Sequence, residues 1–219
     1  MKIALIITAA GKGLRFGNPE GKMLVPIEGK PMLLKTLLAF SSFNFCERVI
    51  ATSSHDREKV EQLLGSHGLL HVSLIPGGDT RKKSVQNAIQ RLGPCDAVMI
   101  HDGARPYVSP ELIQRLIDAL QESPAAIPII PISDTLKRVK NKSVLETVDR
   151  SDLYCVQTPQ AFHIDILRKA YAHSPDFETT DEAGLIEKLG VQVSTVEGDS
   201  RNIKITVPDD IQKPRASHP

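Results

Sequence analysis

The sequence has no tryptophan, and aromatic residues make up only 4% of it. That scarcity argues against platforms on which bases or sugar rings stack. Cysteine is scarce too: Cys46, Cys95 and Cys155 stand far apart, with no CxxC pair and no Cys/His cluster. No zinc site is expected, and an odd, scattered set suits a reducing compartment. Neither sign of charge dominates. Lys and Arg number 27 against 26 Asp and Glu, so no bulk field draws nucleic acid or a membrane surface. No apolar run reaches the length of a membrane span. Met1-Lys2, Ile3–Thr8 and Ala9-Ala10 imitate a signal peptide, but the apolar run is short and a glycine loop follows at once. The run reads instead as a buried first strand. The expected setting is the cytoplasm, with no nucleic-acid or membrane partner.

What is present is ordinary globular material: 219 residues, 41% of them hydrophobic, enough for one sizeable core. One domain is expected over residues 1–212, followed by a polar, disordered tail at 213–219. Apolar strand-like runs at Ile3–Thr8, Arg48–Ser53, Leu69–Ile75, Ala97–His101 and Ala126–Ile132 alternate with helical patterns. The helices are expected at Met32–Phe43, Asp56–Ser66, Thr80–Leu92 and Glu111–Glu122, the last with Ser109 as N-cap and Pro110 at its first position. That rhythm predicts an α/β fold: a mostly parallel sheet with helices on both faces. It breaks at Thr135–Val139 and Val144–Val148, which read as a β-hairpin within an arm spanning about residues 134–156. An isolated hairpin is marginal in water, so the arm is expected to pack on a second copy of the chain. Helices near Ile164–Ala172 and Asp181–Leu189 and strands at Gln192–Val196 and Ile203–Val207 complete the pattern.

In such sheets ligands bind beyond the carboxyl ends of the strands, so the loops there carry the functional reading. The first loop, AAGKGLRFGNPEGK from Ala9 to Lys22, combines glycines with Arg15 and Lys22. Its backbone N–H groups and its two cations suit a triphosphate. It fits neither the Rossmann fingerprint, since Gly17 comes one place late, nor a Walker A loop, since Gly13 follows Gly11-Lys12. The second loop, GGDTRKKS from Gly77 to Ser84, either binds a ligand or simply starts a helix capped by Asp79 or Thr80. The third, HDGARP from His101 to Pro106, offers Asp102 for a metal or a ribose and Arg105 for a phosphate. His101 itself reads as a satisfied, partly buried histidine rather than a base. QTPQ, Gln157 to Gln160, is a weak signal alone. Lys204, flanked by Ile203 and Ile205, points to the opposite face from them and reads first as a solvated side chain.

Taken in order, AAGKGLRFG, Lys22, GGDTRKKS, HDGARP, SDTLKR, TVDR, QTPQAF, TDEA and NIKITVPDD form a set that resembles the 2-C-methyl-D-erythritol 4-phosphate cytidylyltransferases of the non-mevalonate isoprenoid pathway. The resemblance runs from about Ile3 to Asp210. It implies a Rossmann-like fold with a β-arm that builds a homodimer. It implies transfer of a cytidylyl group from CTP, with Mg2+ held mainly by the CTP phosphates, to methylerythritol phosphate. Ala9, Ala10, Gly11 and Gly13 would line the CTP, with Gly78, Asp79 and Ser84 around base and ribose. Arg15 and Lys22 would stabilise the transition state. Asp102 and Arg105 would lie beside the sugar phosphate, and Thr180 matches a substrate-side position. Lys204 would meet the phosphates, and Thr135 and Arg150 on the arm would reach the partner's substrate. The catalytic set is thus Arg15, Lys22, Arg150 and Lys204. Departures from the family pattern stand at Gly21, where proline is usual, and at Met23, Leu24, Gly103 and Tyr154. A sibling enzyme for ribitol 5-phosphate or another polyol phosphate would share these loops. A silent nucleotide-binding module is the alternative of another class, and loss of Lys22 or Arg15 would have favoured it.

Overall fold

The first apolar run forms β1 (Ile3–Ala9), an interior strand of the main sheet in this computed structural model. The structure describes residues 1–11, 16 and 21–211; Gly13, Arg15 and the expected tail at 213–219 lie outside the described residues. Along β1, Ile3, Leu5, Ile7 and Ala9 enter one core while Ala4 and Ile6 enter another. Burial on both faces explains why the run is continuously apolar rather than alternating. Each fully buried Leu or Ile contributes about 1.5–3 kcal/mol of transfer free energy.

A small ribbon of β2 (Pro26–Ile27) and β3 (Lys30–Pro31) leads into α1 (Met32–Leu38). This helix stops short of the expected Phe43. Phe40, Ser41 and Phe43 donate to carbonyls three residues back, tightening the chain into turns that bury Phe40. Then follow β4 (Glu47–Thr52), α2 (Arg57–Ser66), β5 (Ser73–Pro76), α3 (Arg81–Arg91) and β6 (Ala97–Asp102). The expected strand Leu69–Ile75 begins only at Ser73, because Leu69 N–H donates back to Leu64 and Val72 N–H to Leu69, closing the end of α2. In α4 (Pro110–Ala119), Ser109 Oγ accepts from Leu112 N–H at 3.4 Å, the cap read from sequence.

After β7 (Ala125–Pro131) the arm emerges as β8 (Leu136–Lys140) and β9 (Ser143–Val148), a two-stranded sheet of its own. Its turn residues, Asn141 and Lys142, have φ of 49° and 63°, the left-handed pair that a tight hairpin needs. The hairpin ends at Val148. Tyr154–Val156, expected within the arm, is instead β10 of the main sheet. β11 (Gln160–His163), α5 (Ile164–His173), α6 (Ala183–Lys188) and β12 (Ser194–Glu197) complete the chain.

The sheet runs β10-β7-β11-β6-β1-β4-β5, with β12 also on β7. β12 is parallel to β7, whereas β10 and β11 are antiparallel on its other flank. Between them Val156 faces Ile129 and Ala161 faces Ala126, so QTPQ is a bulged interruption in one antiparallel run. Ile203–Val207, expected as a strand, joins no ladder. Thr206 and Val207 N–H donate to Asp210 Oδ2 at 2.7 and 3.0 Å, and that side chain takes the place of a neighbouring strand. Buried residues of α1, α2 and α4 fill the core on one face and those of α3, α5 and α6 the core on the other. Among the described residues no helix is long and apolar enough to cross a membrane.

Candidate active site

β1, β4, β5 and β6 are parallel, and the loops leaving their carboxyl ends surround a cavity of about 720 Å³. One wall is largely backbone. It is made by Ala10 and Gly11 after β1 and by Gly77, Gly78 and Asp79 after β5. Ser84 in the first turns of α3 secures that wall: its hydroxyl accepts from Gly78 N–H at 3.0 Å and donates to the Thr80 carbonyl at 3.0 Å. Thr80 is the cap of α3, accepting from Lys83 N–H at 3.0 Å, which leaves Asp79 exposed at the rim. The N-terminus of α3 therefore opens on the wall with its partial positive charge.

The cavity's lining also carries full charges. Asp102, at the end of β6, is buried and shared. Its Oδ1 accepts from Arg81 Nε at 3.1 Å and Thr8 Oγ1 at 3.4 Å; its Oδ2 accepts from Lys204 Nζ at 2.7 Å, with Arg105 Nε 3.8 Å away. Burial alone would raise the Asp102 pKa, but Arg81, Lys204 and Arg105 outweigh it and hold the carboxyl well below the usual range. Arg81 is doubly anchored, since Nη1 donates to both oxygens of the fully buried Glu182 at 2.9 and 2.7 Å. Burial opposes its charge, yet Glu182 and Asp102 prevail and raise its pKa. Arg105 Nη1 donates to the Asn202 carbonyl at 2.8 Å. His101 is fully buried: Nε2–H donates to the Arg105 carbonyl at 3.0 Å, and Nδ1 accepts from Thr158 Oγ1 at 3.2 Å. Burial pushes its pKa down to about 4, so it is a neutral structural histidine, as read from sequence.

Lys22 lines the cavity from a short 3-10 turn, Lys22–Leu24, with its ammonium 5.9 Å from the Phe16 ring centroid. Three departures from the family pattern, Gly21, Met23 and Gly103, explain how it is carried. Gly21 has φ +94°, and a Cβ there would lie 2.5 Å from Asp56 Oδ1. Proline, with φ fixed at about −65°, could not take that conformation. Met23 is buried, and its Sδ lies 3.1 Å from where a Cβ on Gly103 would stand. The methionine and the glycine therefore fit each other and seat the Lys22 turn on the end of β6.

The cavity thus unites Ala10, Gly11, Lys22, Gly78, Asp79, Ser84, Asp102 and Lys204. Ala9, buried in β1, and Arg105, with Nε 3.8 Å from Asp102 Oδ2, adjoin the lining residues without being among them. Thr135 and Arg150 lie exposed on the arm, where Arg150 Nη1 donates to the carbonyls of Ile132 and Ser133. Thr180 is exposed, two residues before Glu182. Arg81 and Glu182 were not singled out by sequence; the hint available was three cations in GGDTRKKS and an acid in TDEA. Among the described residues no group of three or more His, Cys, Asp or Glu could hold a metal ion.

A cavity that joins a backbone-lined anion site to several cations suits a nucleotide together with an anionic acceptor. Comparison with known proteins points the same way. The sequence model of 2-C-methyl-D-erythritol 4-phosphate cytidylyltransferase matches residues 3–217. A protein of that name from Bacillus velezensis is 38% identical over 216 residues, covering 96% of this chain and 93% of its own. The crystal structure of 4-diphosphocytidyl-2C-methyl-D-erythritol synthase from Anaerococcus prevotii has a TM-score of 0.83 at 31% identity, covering 96% of this chain and 95% of that one. The cytidylyltransferase structure from Thermus thermophilus has a TM-score of 0.80 at 32% identity, covering 97% and 96%.

Proposed function

The chain belongs to the 2-C-methyl-D-erythritol 4-phosphate cytidylyltransferase family, and from that premise we propose that its strand-end cavity carries out the family's reaction. The enzyme is a nucleotidyltransferase. It moves the cytidylyl group of CTP to 2-C-methyl-D-erythritol 4-phosphate, giving 4-diphosphocytidyl-2-C-methyl-D-erythritol and pyrophosphate. The observation that carries this reading is the meeting of Lys22, Lys204 and the glycine-lined wall in one cavity.

An acceptor phosphate is already anionic near neutral pH, so its attack on the α-phosphorus needs no general base. The difficulty is repulsion between two anions and the charge that builds on the α-phosphoryl oxygens. Catalysis is then positioning and electrostatic stabilisation. Ala9, Ala10, Gly11 and Gly13 cradle the triphosphate; Gly78, Asp79 and Ser84 hold base and ribose. Lys22 and Arg15 stabilise the α-phosphoryl group and the leaving pyrophosphate. Asp102, Arg105, Thr180 and Lys204 form the acceptor side. CTP would bring Mg2+ on its phosphates, and the ion would supply charge neutralisation there. The chain's donors fit that arrangement: the cavity's carboxylates among the described residues are Asp79 and Asp102, and Asp102 is committed to Arg81 and Lys204.

Residues 1–212 act as one catalytic unit that works as a homodimer in the cytoplasm. The arm's Val139, Val144 and Leu145 are exposed apolar side chains that a second copy would cover. Thr135 and Arg150 then serve the partner's acceptor. The cytoplasmic setting is supported by three free cysteines. The direct test is pyrophosphate release from CTP with methylerythritol phosphate and, in parallel, ribitol 5-phosphate. Release with the former is expected; equal or greater release with ribitol 5-phosphate would overturn the acceptor assignment.

A further inference from the structure

We propose that Arg81 and Glu182 are positioning residues for the acceptor side: together they fix the Asp102 carboxylate so that it holds Lys204 without opposing an incoming phosphate. The inference rests on the acceptor-side reading of Asp102 and Lys204.

A carboxylate is an unexpected group in a cavity meant for a phosphate. Asp102 has that place because its charge is offset by Arg81. Arg81 Nε takes Oδ1 at 3.1 Å, which leaves Oδ2 to hold Lys204 Nζ at 2.7 Å. Lys204 keeps 44% of its side chain exposed, so it can lean toward a ligand while Asp102 stays compensated. Arg81 is in turn held in place. Both oxygens of Glu182 accept from its Nη1, and Tyr171 Oη donates to Glu182 Oε1 at 3.3 Å. Glu182 is fully buried, so it cannot swing away without leaving a charge unpaired inside the protein. The resulting line, Tyr171–Glu182–Arg81–Asp102–Lys204, ties α5, the start of α6, the start of α3, the end of β6 and the irregular segment at Lys204 into one device. The low pKa of Asp102 agrees with this arrangement, since a carboxyl so compensated stays ionised beside the substrate. The Arg fork suits it: Nε and Nη1 reach two different acids from separate nitrogens at a fixed spacing, a geometry that a lysine's single ammonium does not reproduce.

The test is steady-state kinetics on the full-length enzyme with Arg81→Lys, Glu182→Gln and Lys204→Ala, and with each of the first two combined with Lys204→Ala. Arg81→Lys and Glu182→Gln should each raise KM for the acceptor about tenfold while changing KM for CTP by less than about twofold, and in the Lys204→Ala background their effect should shrink below about twofold. Equal effects in both backgrounds, or equal rises in both KM values, would overturn the inference. Should Glu182→Gln fail to fold, Arg81→Lys carries the test, because it retains the buried positive charge. Tyr171→Phe, which removes one hydrogen bond from Glu182, gives a milder version of the same comparison. Lys204→Ala alone separates the two levels: an unchanged acceptor KM there would sink the acceptor-side reading itself.

Discussion

Lys204 and Arg150 are both cations assigned to the acceptor phosphate, and the fold treats them differently. Lys204 Nζ lies 2.7 Å from Asp102, within a network whose carboxylates, Asp102 and Glu182, are buried in this chain. Arg150 is exposed at the root of a two-stranded arm and donates to the main-chain carbonyls of Ile132 and Ser133. The first cation is pre-organised by its own chain. The second is on the part of the molecule with the least core beneath it. An interior charge can be aimed by buried partners before substrate arrives; a peripheral one is aimed only when another surface meets it. On the proposed reading the enzyme uses both kinds, one contributed in cis and the other by the second copy.

Lys22 is the interior charge with the largest expected effect. Lys22→Ala should lower turnover by on the order of a hundredfold or more, the cost of losing a charge aimed at the transition state. Near-normal turnover in that variant would remove the α-phosphoryl role.

The pH dependence of stability sharpens the comparison next. His101 is held neutral in the fold, with its pKa lowered to about 4. The unfolded chain takes up that proton at about pH 6.5, so stability is full above that pH and falls as pH drops toward 4, by about 3 kcal/mol in all. Asp102, also lowered, adds a further loss below about pH 4, where the unfolded chain binds its proton first. Thermal melts across this range should show the slope, and His101→Asn should flatten it between 6.5 and 4. An unchanged slope would mean that the buried histidine is not the group responsible.

Arg150→Ala tests the peripheral side. It should raise KM for the acceptor about tenfold and leave KM for CTP nearly unchanged, as loss of one charged contact to one ligand does. Equal rises in both would displace Arg150 from the acceptor.

The smallest effect belongs to the seat of Lys22. Gly103→Ala would push a methyl group against Met23 Sδ and the Thr8 carbonyl, which would lie 3.1 and 3.0 Å away. A stability loss of about 1–3 kcal/mol is expected, with turnover down a few-fold. Adding Met23→Ala should recover part of the turnover; no recovery would show that the pair does not set Lys22.

The parts of the molecule readable from sequence were those with local causes. Ser109 and Pro110 mark the start of α4, Asn141 and Lys142 form the arm's turn, and the alternation from β1 to β7 follows from apolar runs separated by amphipathic ones. The glycine-rich and cationic loops could be named because they follow buried strands. What escaped had distant causes. Arg81 and Glu182 are 101 residues apart, and no spacing rule joins them. β10 and β11 are three and four residues long, with Pro159 between them, so neither gives a periodic signal. Ile203–Val207 has the alternation of a strand, but the Asp210 carboxylate claims the N–H groups that a ladder would need. The fit of Met23 to Gly103 is equally invisible along the chain, though each residue alone stood out as unusual.

The division between an interior set and an arm working on the partner can be tested in a single mixing experiment. Chains carrying Lys22→Ala are refolded together in equal amounts with chains carrying Arg150→Ala, and the rate is measured at acceptor concentrations well below KM. If the arm serves the other copy, each mixed dimer contains one site with both residues intact, and the mixture recovers roughly a quarter of the wild-type rate. If Arg150 serves its own chain, no intact site forms, and the mixture stays at the average of the two variants.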